Sequence, residues 1–591
     1  MNIVQIIKEE VQKAVLALYQ KNIETNVITI NDTKPEFEGD YTLVTFSLSK
    51  DLQKKPDEIA TQIGEYLTKE NSLFTHFQVI KGFLNFTINE NYYLDFLSKN
   101  FNDNTFGKTN FSNEKIMVEY SSPNTNKPLH FGHLRNIFLG HALSSILQEV
   151  GNEVYKVNLI NDRGIHICKS MIAWILFAKG ATPESTGIKG DHLVGDYYVK
   201  FNDEYKKQIS ELIENGRTKE DAEKNAPIML AAQDLLRKWE DSDKETIELW
   251  HTMNAWVYEG FEKTYKKLGV VFEKIYYESD TYLLGKKEVE NALQKNILFQ
   301  KEDSSIWVDL TNEGLDQKLL LRGDGTSVYI TQDIGTAILK YKDYAMDKSV
   351  YVIGDEQNYH MQVLKLILQK MNEPCADGIF HLSYGMVELP SGKMKSREGN
   401  VVDADDMVDE MISIAQKNTE ELGKVDGFTE KELHTLFQTL GMGALKFYLL
   451  RVDPKKRMIF NPEESIDFHG FTGPFVQYTH ARICSILQKT TVENLEYNHE
   501  ISMSKVEKNL LKNIEQYPQQ IILSAQEMNP AIICNTIYNI AKEFNHFLVN
   551  HSILKAESTE LMKFRLQICL LCKHVISHGL GLLGIAAPQR M

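Results

Sequence analysis

Two histidines three residues apart are the strongest chemical signal in the sequence. His130 and His133 lie in the segment PLHFGH, between a predicted strand and the start of a predicted helix. A helix N-terminus presents free backbone N–H groups and the positive end of the helix dipole, so it binds anions. Residues at this spacing share one helix face, and both imidazoles can reach one phosphate. Gly132 has no side chain, which lets a planar base approach the backbone. The tetrapeptide alone leaves a second interpretation open, in which the histidines only cap or pack the helix.

A second segment, much later in the chain, combines basic and hydroxyl side chains with two glycines. It has the sequence GKMKSREGN and begins at Gly392. A mobile loop of this composition can neutralise the charge of a leaving pyrophosphate. Taken by itself, a charged run of this kind is more typical of a solvated surface turn. Its candidate functional residues are Lys393, Met394, Lys395 and Ser396.

The elements around the first motif predict an α/β domain. The strand KIMVEYSS precedes it, an apolar-faced helix follows, and the strand EVYKVNLI completes a βαβ unit. SVYVIGD, a helix and IFHLSYGMVEL repeat the alternation. We therefore predict a Rossmann-type parallel-sheet catalytic domain over 106–440, with inserted material over roughly 180–320 that includes a hairpin at LLLRGDGTSVYI.

The two ends of the chain predict separate domains. Residues 1–105 alternate helical segments with the β-like stretches YTLVTFSL and GFLNFTI, which indicates an N-terminal α+β domain. An Asn- and Gly-rich linker closes it. From 441 to 591 the pattern is helical throughout, which predicts a C-terminal all-α helical bundle.

Composition narrows the class of protein. No run in the 591 residues approaches the ~20 apolar residues that cross a bilayer, so we expect a cytoplasmic protein without a membrane partner. The net charge of −16 argues against indiscriminate nucleic-acid binding but leaves a specific RNA partner open. Cys569 and Cys572 form a C-x-x-C without a second ligand pair, so we expect buried thiols and no structural metal.

Together the two motifs resemble the HIGH and KMSKS signatures of class I aminoacyl-tRNA synthetases, and the block VEYSSPNTNKPLHFGHLRN is similar to that of the arginyl-tRNA synthetases. The resemblance implies ATP with Mg²⁺, L-arginine and the arginine tRNA as substrates, activation that requires bound tRNA, and a monomer. It implies that the two histidines stabilise the α-phosphate and that Phe131, Gly132, Met394 and Ser396 contact ATP. Lys127, Lys393 and Lys395 would hold the other phosphates. The loop departs from KMSKS, since Ser396 stands where the second lysine belongs; which lysine contacts pyrophosphate is left open.

The same resemblance assigns a pocket for the amino acid. Guanidinium is planar, charged and rich in donors, so its recognition takes carboxylates in fork geometry. Tyr329 and Asp333 match the family's Tyr-x-x-x-Asp element, and Glu278 matches the second carboxylate. Asn124 and Gln357 match positions that hold the substrate's α-groups or ribose. Each of these residues alone is typical of an ordinary surface.

Both terminal domains resemble tRNA-binding domains of the same family. At the N-terminus, Phe83 and Asn85 are candidates to contact an unpaired base of the tRNA elbow; packing in the sheet is the alternative for Phe83. At the C-terminus, Phe475, Gln477 and Tyr478 are candidates to reach the anticodon, and packing is the alternative for Tyr478. A different adenylyl-transferring enzyme and a catalytically silent tRNA-binding relative are the competing functions.

Overall fold

The protein is described here by a computed structural model that covers residues 2–390, 402–421, 423, 427–490, 495–497 and 501–591. Within these ranges the chain forms an N-terminal α+β part, a central α/β part and a C-terminal helical part. No helix of the described ranges is long and apolar enough to cross a membrane. All six cysteines are buried free thiols, as expected for Cys569 and Cys572.

The N-terminal part is an antiparallel four-stranded sheet covered by helices. Its elements are α1 (Ile3–Tyr19), β1 (Ile30–Asp32), β2 (Tyr41–Val44), α2 (Phe46–Leu52), α3 (Pro56–Glu70), β3 (Phe74–Ile80), β4 (Phe83–Ile88) and α4 (Glu90–Asn100). The strand order is β1-β2-β4-β3. The stretch YTLVTFSL is strand only as far as Val44, and its second half begins a helix. Thr45 ends the strand by donating its hydroxyl to the carbonyl of Gly82, and Leu48 and Leu52 are buried at helical spacing.

The central part contains the main sheet of the protein and two insertions. Its elements are β5 (Lys115–Glu119), α5 (Phe131–Glu149), β6 (Glu153–Ile160), α6 (Ile165–Phe177), α7 (Pro183–Thr186), α8 (Gly190–Glu214), α9 (Lys219–Asn225), α10 (Pro227–Glu240), α11 (Lys244–Leu268), β7 (Lys274–Tyr277), α12 (Glu278–Thr281), α13 (Lys286–Gln294), β8 (Phe299–Gln300), β9 (Ile306–Val308), β10 (Lys318–Leu321), α14 (Tyr329–Tyr344), β11 (Lys348–Gly354), α15 (Asn358–Lys370), β12 (Ile379–Tyr384) and β13 (Val387–Glu388).

Five parallel strands form the main sheet in the order β12-β11-β5-β6-β7. The order reverses at β5, which lies between β11 and β6. In open α/β sheets the crevice at the carboxyl ends of the strands beside such a reversal is the place where ligands bind. The predicted Rossmann-type architecture is confirmed, and the segments that follow β5 and β11 carry the first motif and Gln357 to this crevice.

The insertions differ from each other. The helices α7 to α11 stand between β6 and β7, and the antiparallel sheet β10-β9-β8 stands between β7 and α14. The turn predicted at Asp324-Gly325 forms, with Gly325 at φ +79°. The returning segment makes only one bridge, between Leu321 and Ser327, because the helix α14 begins two residues later.

The C-terminal part is a helical bundle that also contacts the N-terminal part. Its elements are α16 (Ala404–Glu421), α17 (Glu430–Leu450), β14 (Met458–Ile459), α18 (Pro462–Ser465), α19 (Gly473–Gln488), α20 (Lys505–Glu515), α21 (Tyr517–Gln526), α22 (Ala531–Asn550) and α23 (Thr559–Leu582). Lys508 Nζ lies 2.6 Å from Asp40 Oδ2. The Glu515 carboxylate accepts the Ile3 N–H at 2.7 Å. These contacts join the N-terminal part to the C-terminal bundle.

Candidate active site

The loop after β5 has an unusual backbone that two buried asparagines hold in place. Ser121 and Ser122 have φ values of +77° and +43°, in the left-handed region that side chains rarely adopt. Asn136 accepts the Ser121 N–H at 2.5 Å, and Asn158 accepts the Ser122 N–H at 2.9 Å. Such strain persists where surrounding contacts fix it, and it concentrates at functional sites. The sequence analysis singled out neither asparagine. Asn136 could have been found from its position, because it lies on the face of α5 next to the histidines.

The two motif histidines lie together at the start of α5. His130 is the N-cap residue, and its backbone N–H donates to His133 Nδ1 at 3.0 Å. The two rings have centroids 3.8 Å apart and are tilted by 33°. Because His133 Nδ1 accepts a hydrogen bond, the neutral ring carries its proton on Nε2, and His133 lines the first cavity described below. The contact of both histidines with one anion stays a prediction.

Both rings are held in the neutral state. Burial, and then the positive charge of Lys127, lowers the pKa of His130 to about 3. Burial, and then the neighbouring His130 and Lys127, lower the pKa of His133 well below its ordinary value. The site therefore offers hydrogen bonds from uncharged imidazoles at neutral pH, and Lys127 supplies the positive charge.

The structure corrects the assignment of Phe131. Its side chain is fully buried against Phe460, with ring centroids 5.1 Å apart. Its backbone N–H donates to the Val402 carbonyl at 2.9 Å. The ring is not available to ATP, because it packs between the α5 helix and the chain after β14. The backbone N–H is not available either, because it is already hydrogen-bonded. Gly132 stays a candidate for contact with ATP. A Cβ at this position would lie 3.1 Å from the His130 ring, so a side chain there would crowd the ring.

The second motif lies outside the described residues. This includes the predicted Lys393, Met394, Lys395 and Ser396. The described chain resumes at Val402, and Ala404 N–H donates to the Leu129 carbonyl at 3.0 Å. His130 forms an antiparallel bridge with Asp403. The residues that directly follow the second motif are therefore hydrogen-bonded to both sides of His130.

Two cavities meet at the carboxyl edge of the sheet. The first, of about 390 Å³, is lined by His133, Asn136, Gln357 and Tyr384 among others. The second, of about 610 Å³, is lined by Asn124, Glu278 and Tyr329. Asp333 lines both cavities, together with Leu159, Asn161 and Thr336. All five predicted amino-acid-binding residues therefore lie around one continuous crevice with Asp333 at its junction.

The two predicted carboxylates reach the crevice from different elements. Asp333 is one turn after Tyr329 on α14, and Tyr329 is 79% exposed at the helix start. Glu278 begins α12 at the end of β7. Burial raises the pKa of the Glu278 carboxyl, and the Arg163 guanidinium opposes that rise. Two carboxylates approaching from separate directions suit a planar cation that donates along several edges.

Asp162 fixes the position of Glu278. This residue is 1% exposed, and its carboxylate accepts the backbone N–H and the hydroxyl of Ser279 at 2.8 Å and 2.7 Å. The Tyr258 hydroxyl donates to it at 2.8 Å. Since Ser279 follows Glu278 directly, these bonds set where the Glu278 side chain enters the crevice. Sequence reasoning missed Asp162, which follows β6 as His130 follows β5.

A buried ion pair forms the floor of the first cavity. Lys340 on α14 bonds to Glu119 at the end of β5, and both side chains are at most 5% exposed. The Lys340 ammonium also lies 5.1 Å from the Tyr351 ring centroid. The pair joins α14 to the central strand, and so fixes Asp333, two turns earlier on the same helix.

A cluster of His192, Asp403 and Asp405 has its ligand atoms within 4.8 Å of one another, a spacing that suits a metal ion. Lys189 Nζ lies 2.6 Å from Asp405 Oδ2, and Lys267 also pairs with Asp405. Asp405 is thus already paired with two lysines, and the neighbour of Asp403 is His192, whose Nε2 lies 3.3 Å from Asp403 Oδ2. The cluster instead joins α8 to the start of α16, next to His130.

Comparison with known proteins decides the family. Residues 97–461 match the model of the class I tRNA synthetase (R) catalytic domain, residues 476–591 match the DALR anticodon binding domain, and residues 1–88 match the arginyl tRNA synthetase N terminal domain. The arginine–tRNA ligase of Bacteroides thetaiotaomicron is 50% identical over 97% of each chain, and that of Amoebophilus asiaticus is 48% identical over 100% of each. The chain belongs to the arginyl-tRNA synthetase family.

A solved structure shows the same fold over the whole length. The arginyl-tRNA synthetase of Thermus thermophilus covers 100% of both chains with a TM-score of 0.78 at 22% sequence identity. The family assignment and the fold class predicted from the sequence are both confirmed.

At the N-terminal end, the family's own domain presents a cavity where sequence reasoning placed a tRNA contact. Phe83 is 40% exposed, which removes the alternative that it is sheet core. It lines a cavity of about 430 Å³ together with Asn85, Lys34 and Lys81. Asn85 is buried, and its side-chain oxygen accepts the Thr42 hydroxyl at 2.7 Å. The contacts of Phe83 and Asn85 with tRNA stay predictions.

At the C-terminal end, the structure corrects one of three candidates. Gln477 is 0% exposed, and its amide donates to the carbonyls of Thr439 and Ala586 at 3.0 and 2.8 Å. It is a packing residue, because α19 turns this face toward α17 and the chain end. Phe475 and Tyr478 are half-buried and pack against Tyr538 and Phe468, so their tRNA contacts stay predictions.

Proposed function

We propose that this member of the arginyl-tRNA synthetase family charges its tRNA with arginine in two steps in the crevice at the edge of the sheet. The arginine carboxylate oxygen attacks the α-phosphorus of ATP, and the bond to pyrophosphate breaks. The 2′-hydroxyl of the terminal tRNA adenosine then attacks the arginyl carbonyl, and AMP leaves. The observation that carries the proposal is the position of Asp333, which lines both the cavity with Glu278 and Tyr329 and the cavity with His133.

The histidine cavity suits the phosphate chemistry. A neutral donor at His133, the positive end of the α5 helix dipole and the charge of Lys127 can stabilise the charge that develops on the α-phosphate. ATP enters as its Mg²⁺ complex, in which the metal belongs to the substrate. The segment after Lys393 and Lys395 returns to His130, which supports a place for these lysines over the outer phosphates.

The carboxylate cavity suits the guanidinium. Asp333 and Glu278 are the pair of acceptors, and Tyr329 closes the exposed side. Asn124 lines the second cavity and Gln357 lines the first, each with Asp333, and the two would hold the α-amino and carboxylate groups or the ribose. A lysine or a citrulline would leave part of a carboxylate unpaired, which costs roughly 1–3 kcal/mol per lost bond.

We also propose that activation requires bound tRNA, held by Phe83 and Asn85 at one end and by Phe475 and Tyr478 at the other. Induced fit of this kind lets one substrate complete the site for another. Action as a monomer in the cytoplasm stays a prediction from the sequence.

The experiment is ATP–pyrophosphate exchange with each of the standard amino acids, with and without total tRNA. Exchange with arginine only, and only when tRNA is present, is the expected result. Exchange with arginine in the absence of tRNA would remove the tRNA requirement. Exchange with another amino acid would overturn the pocket, and no exchange under any condition would favour a silent tRNA-binding protein.

A further inference from the structure

Asp333 has a histidine partner that the sequence did not indicate. His360 Nε2, in the first turn of α15, lies 2.6 Å from Asp333 Oδ2 on α14. The two side chains are 35% and 37% exposed, so the bond faces the crevice and is not part of the core. A substrate guanidinium at Asp333 would lie within a few ångströms of this imidazole, since both would contact the same carboxylate.

A positive charge on this imidazole therefore weakens the binding of the substrate guanidinium. At separations of about 4 Å, two like charges near a protein surface repel by several kcal/mol at most, and more weakly when water reaches them. A neutral imidazole causes no such repulsion. It also keeps its Nε2 proton, so it continues to donate to Asp333 Oδ2 and leaves the other oxygen for the substrate.

We propose that His360 is a positioning and specificity residue whose charge is exchanged for that of arginine. In the empty crevice the protonated ring pairs with Asp333. When the guanidinium binds, the ring loses its Nδ1 proton to solvent and holds the carboxylate as a neutral donor. This inference rests on the proposed role of Asp333, and it makes arginine binding release a proton.

His360 is the histidine of the first cavity whose surroundings favour the charged form. The hydrogen bond to Asp333 raises its pKa. Lys340 and Glu119 form a buried pair of opposite charges. The remaining titratable groups of this cavity are neutral: His133, whose pKa is lowered, and Tyr351 and Tyr384, whose pKa values burial raises. At the turn before α15, Glu356 is exposed and Asp355 lies 3.5 Å from Arg457.

The direction of the pH dependence follows from this charge. Below the pKa of His360 the ring is charged, and arginine must displace a proton; above it, no proton is released. The arginine KM should therefore fall by about tenfold per pH unit as pH rises toward that pKa, and then level off. The ATP KM should not follow this dependence, because Asp333 does not hold ATP in the proposal.

The test measures the arginine KM and the ATP KM of ATP–pyrophosphate exchange, with tRNA present, between pH 5.5 and 8.5. His360→Gln keeps an N–H donor but no charge, and His360→Ala keeps neither. We expect His360→Gln to have a flat arginine KM that stays within a few-fold of the wild-type value at pH 8. We expect His360→Ala to raise the arginine KM at every pH. His251→Gln, at an exposed position of α11, is the matched control and should behave as wild type.

Several outcomes would overturn the inference. A wild-type pH dependence in His360→Gln would assign the proton to another group. A flat wild-type profile would remove the proton release while the role of Asp333 stands. An Asp333→Asn variant with an unchanged arginine KM would instead overturn the proposed pocket itself, so the two failures are distinguishable.

Discussion

The histidines at the crevice divide into two kinds that belong to different helices. His130 and His133, at the start of α5, are kept neutral by burial and by Lys127. His360, in the first turn of α15, has its pKa raised by its hydrogen bond to Asp333. In the roles proposed above, the same type of side chain would serve phosphate chemistry as a fixed neutral donor, and cation recognition as a group that changes its charge.

The ion pairs of α14 make the same distinction. Lys340–Glu119 is dry and joins two elements of the core, whereas Asp333–His360 is open to the crevice. A buried pair is costly to break because one charge is left uncompensated, and an exposed pair contributes little to stability and is free to exchange partners. The predictions below test whether the two sets of groups are as different as this comparison requires.

The largest effect is expected at the buried pair. Lys340→Met should lower the free energy of unfolding by about 3–5 kcal/mol, since Glu119 would keep a buried charge without a partner. The urea-denaturation midpoint, followed by tryptophan fluorescence, measures this. The double variant Lys340→Met/Glu119→Leu should recover most of the loss. A Lys340→Met midpoint like that of wild type would mean that the pair is not buried in solution.

The next effect is expected at the α5 histidines. His133→Ala should reduce the maximal exchange rate by about 10²- to 10³-fold, the usual loss when one donor to a developing charge is removed. The affinity for tRNA, measured by filter binding, should be unchanged. His360→Ala should instead act mainly on the arginine KM. A near-normal rate in His133→Ala would remove that residue from the phosphate site.

A smaller effect is expected at Asp333. Asp333→Asn should raise the arginine KM by roughly 10- to 100-fold, as expected for the loss of a charged hydrogen bond, with the ATP KM nearly unchanged. Stability should change by less than about 1 kcal/mol, because the pair with His360 is exposed. Asp343→Asn, farther along α14, is the matched control. Equal effects on both KM values would place Asp333 outside the amino-acid pocket.

The smallest effect concerns the pH dependence of the maximal rate. With both substrates saturating, the rate should be constant within about twofold from pH 8 down to pH 5.5, since burial lowers the pKa of His130 to about 3 and that of His133 well below its ordinary value. Stability should behave differently from the rate. The pair of His360 and Asp333 stabilises the fold at low pH, and this contribution is lost as pH rises through the raised pKa of His360. A maximal rate that titrates near pH 6.5 would contradict the neutral histidines.

Local sequence patterns sufficed for much of the fold and for the family. The strand EVYKVNLI is β6 from Glu153 to Ile160, and the helical segments predicted within residues 1–105 include α1. The paired motifs, together with the block around them, identified the family. The signal was strong because neighbouring residues at fixed spacing encode both a helix face and the chemistry on it.

The tertiary structure alone decided which of the candidate side chains are accessible and which are paired. Gln477 looks like a surface amide in sequence, but the chain end, at Ala586, covers it. Phe131 sits in the motif but faces Phe460. The pair between Asp333 and His360 joins two helices that β11 separates. Burial and partnership depend on contacts between segments far apart in the chain, and no local pattern contains them; residue types and spacing specified the chemistry, and packing selected the residues that can perform it.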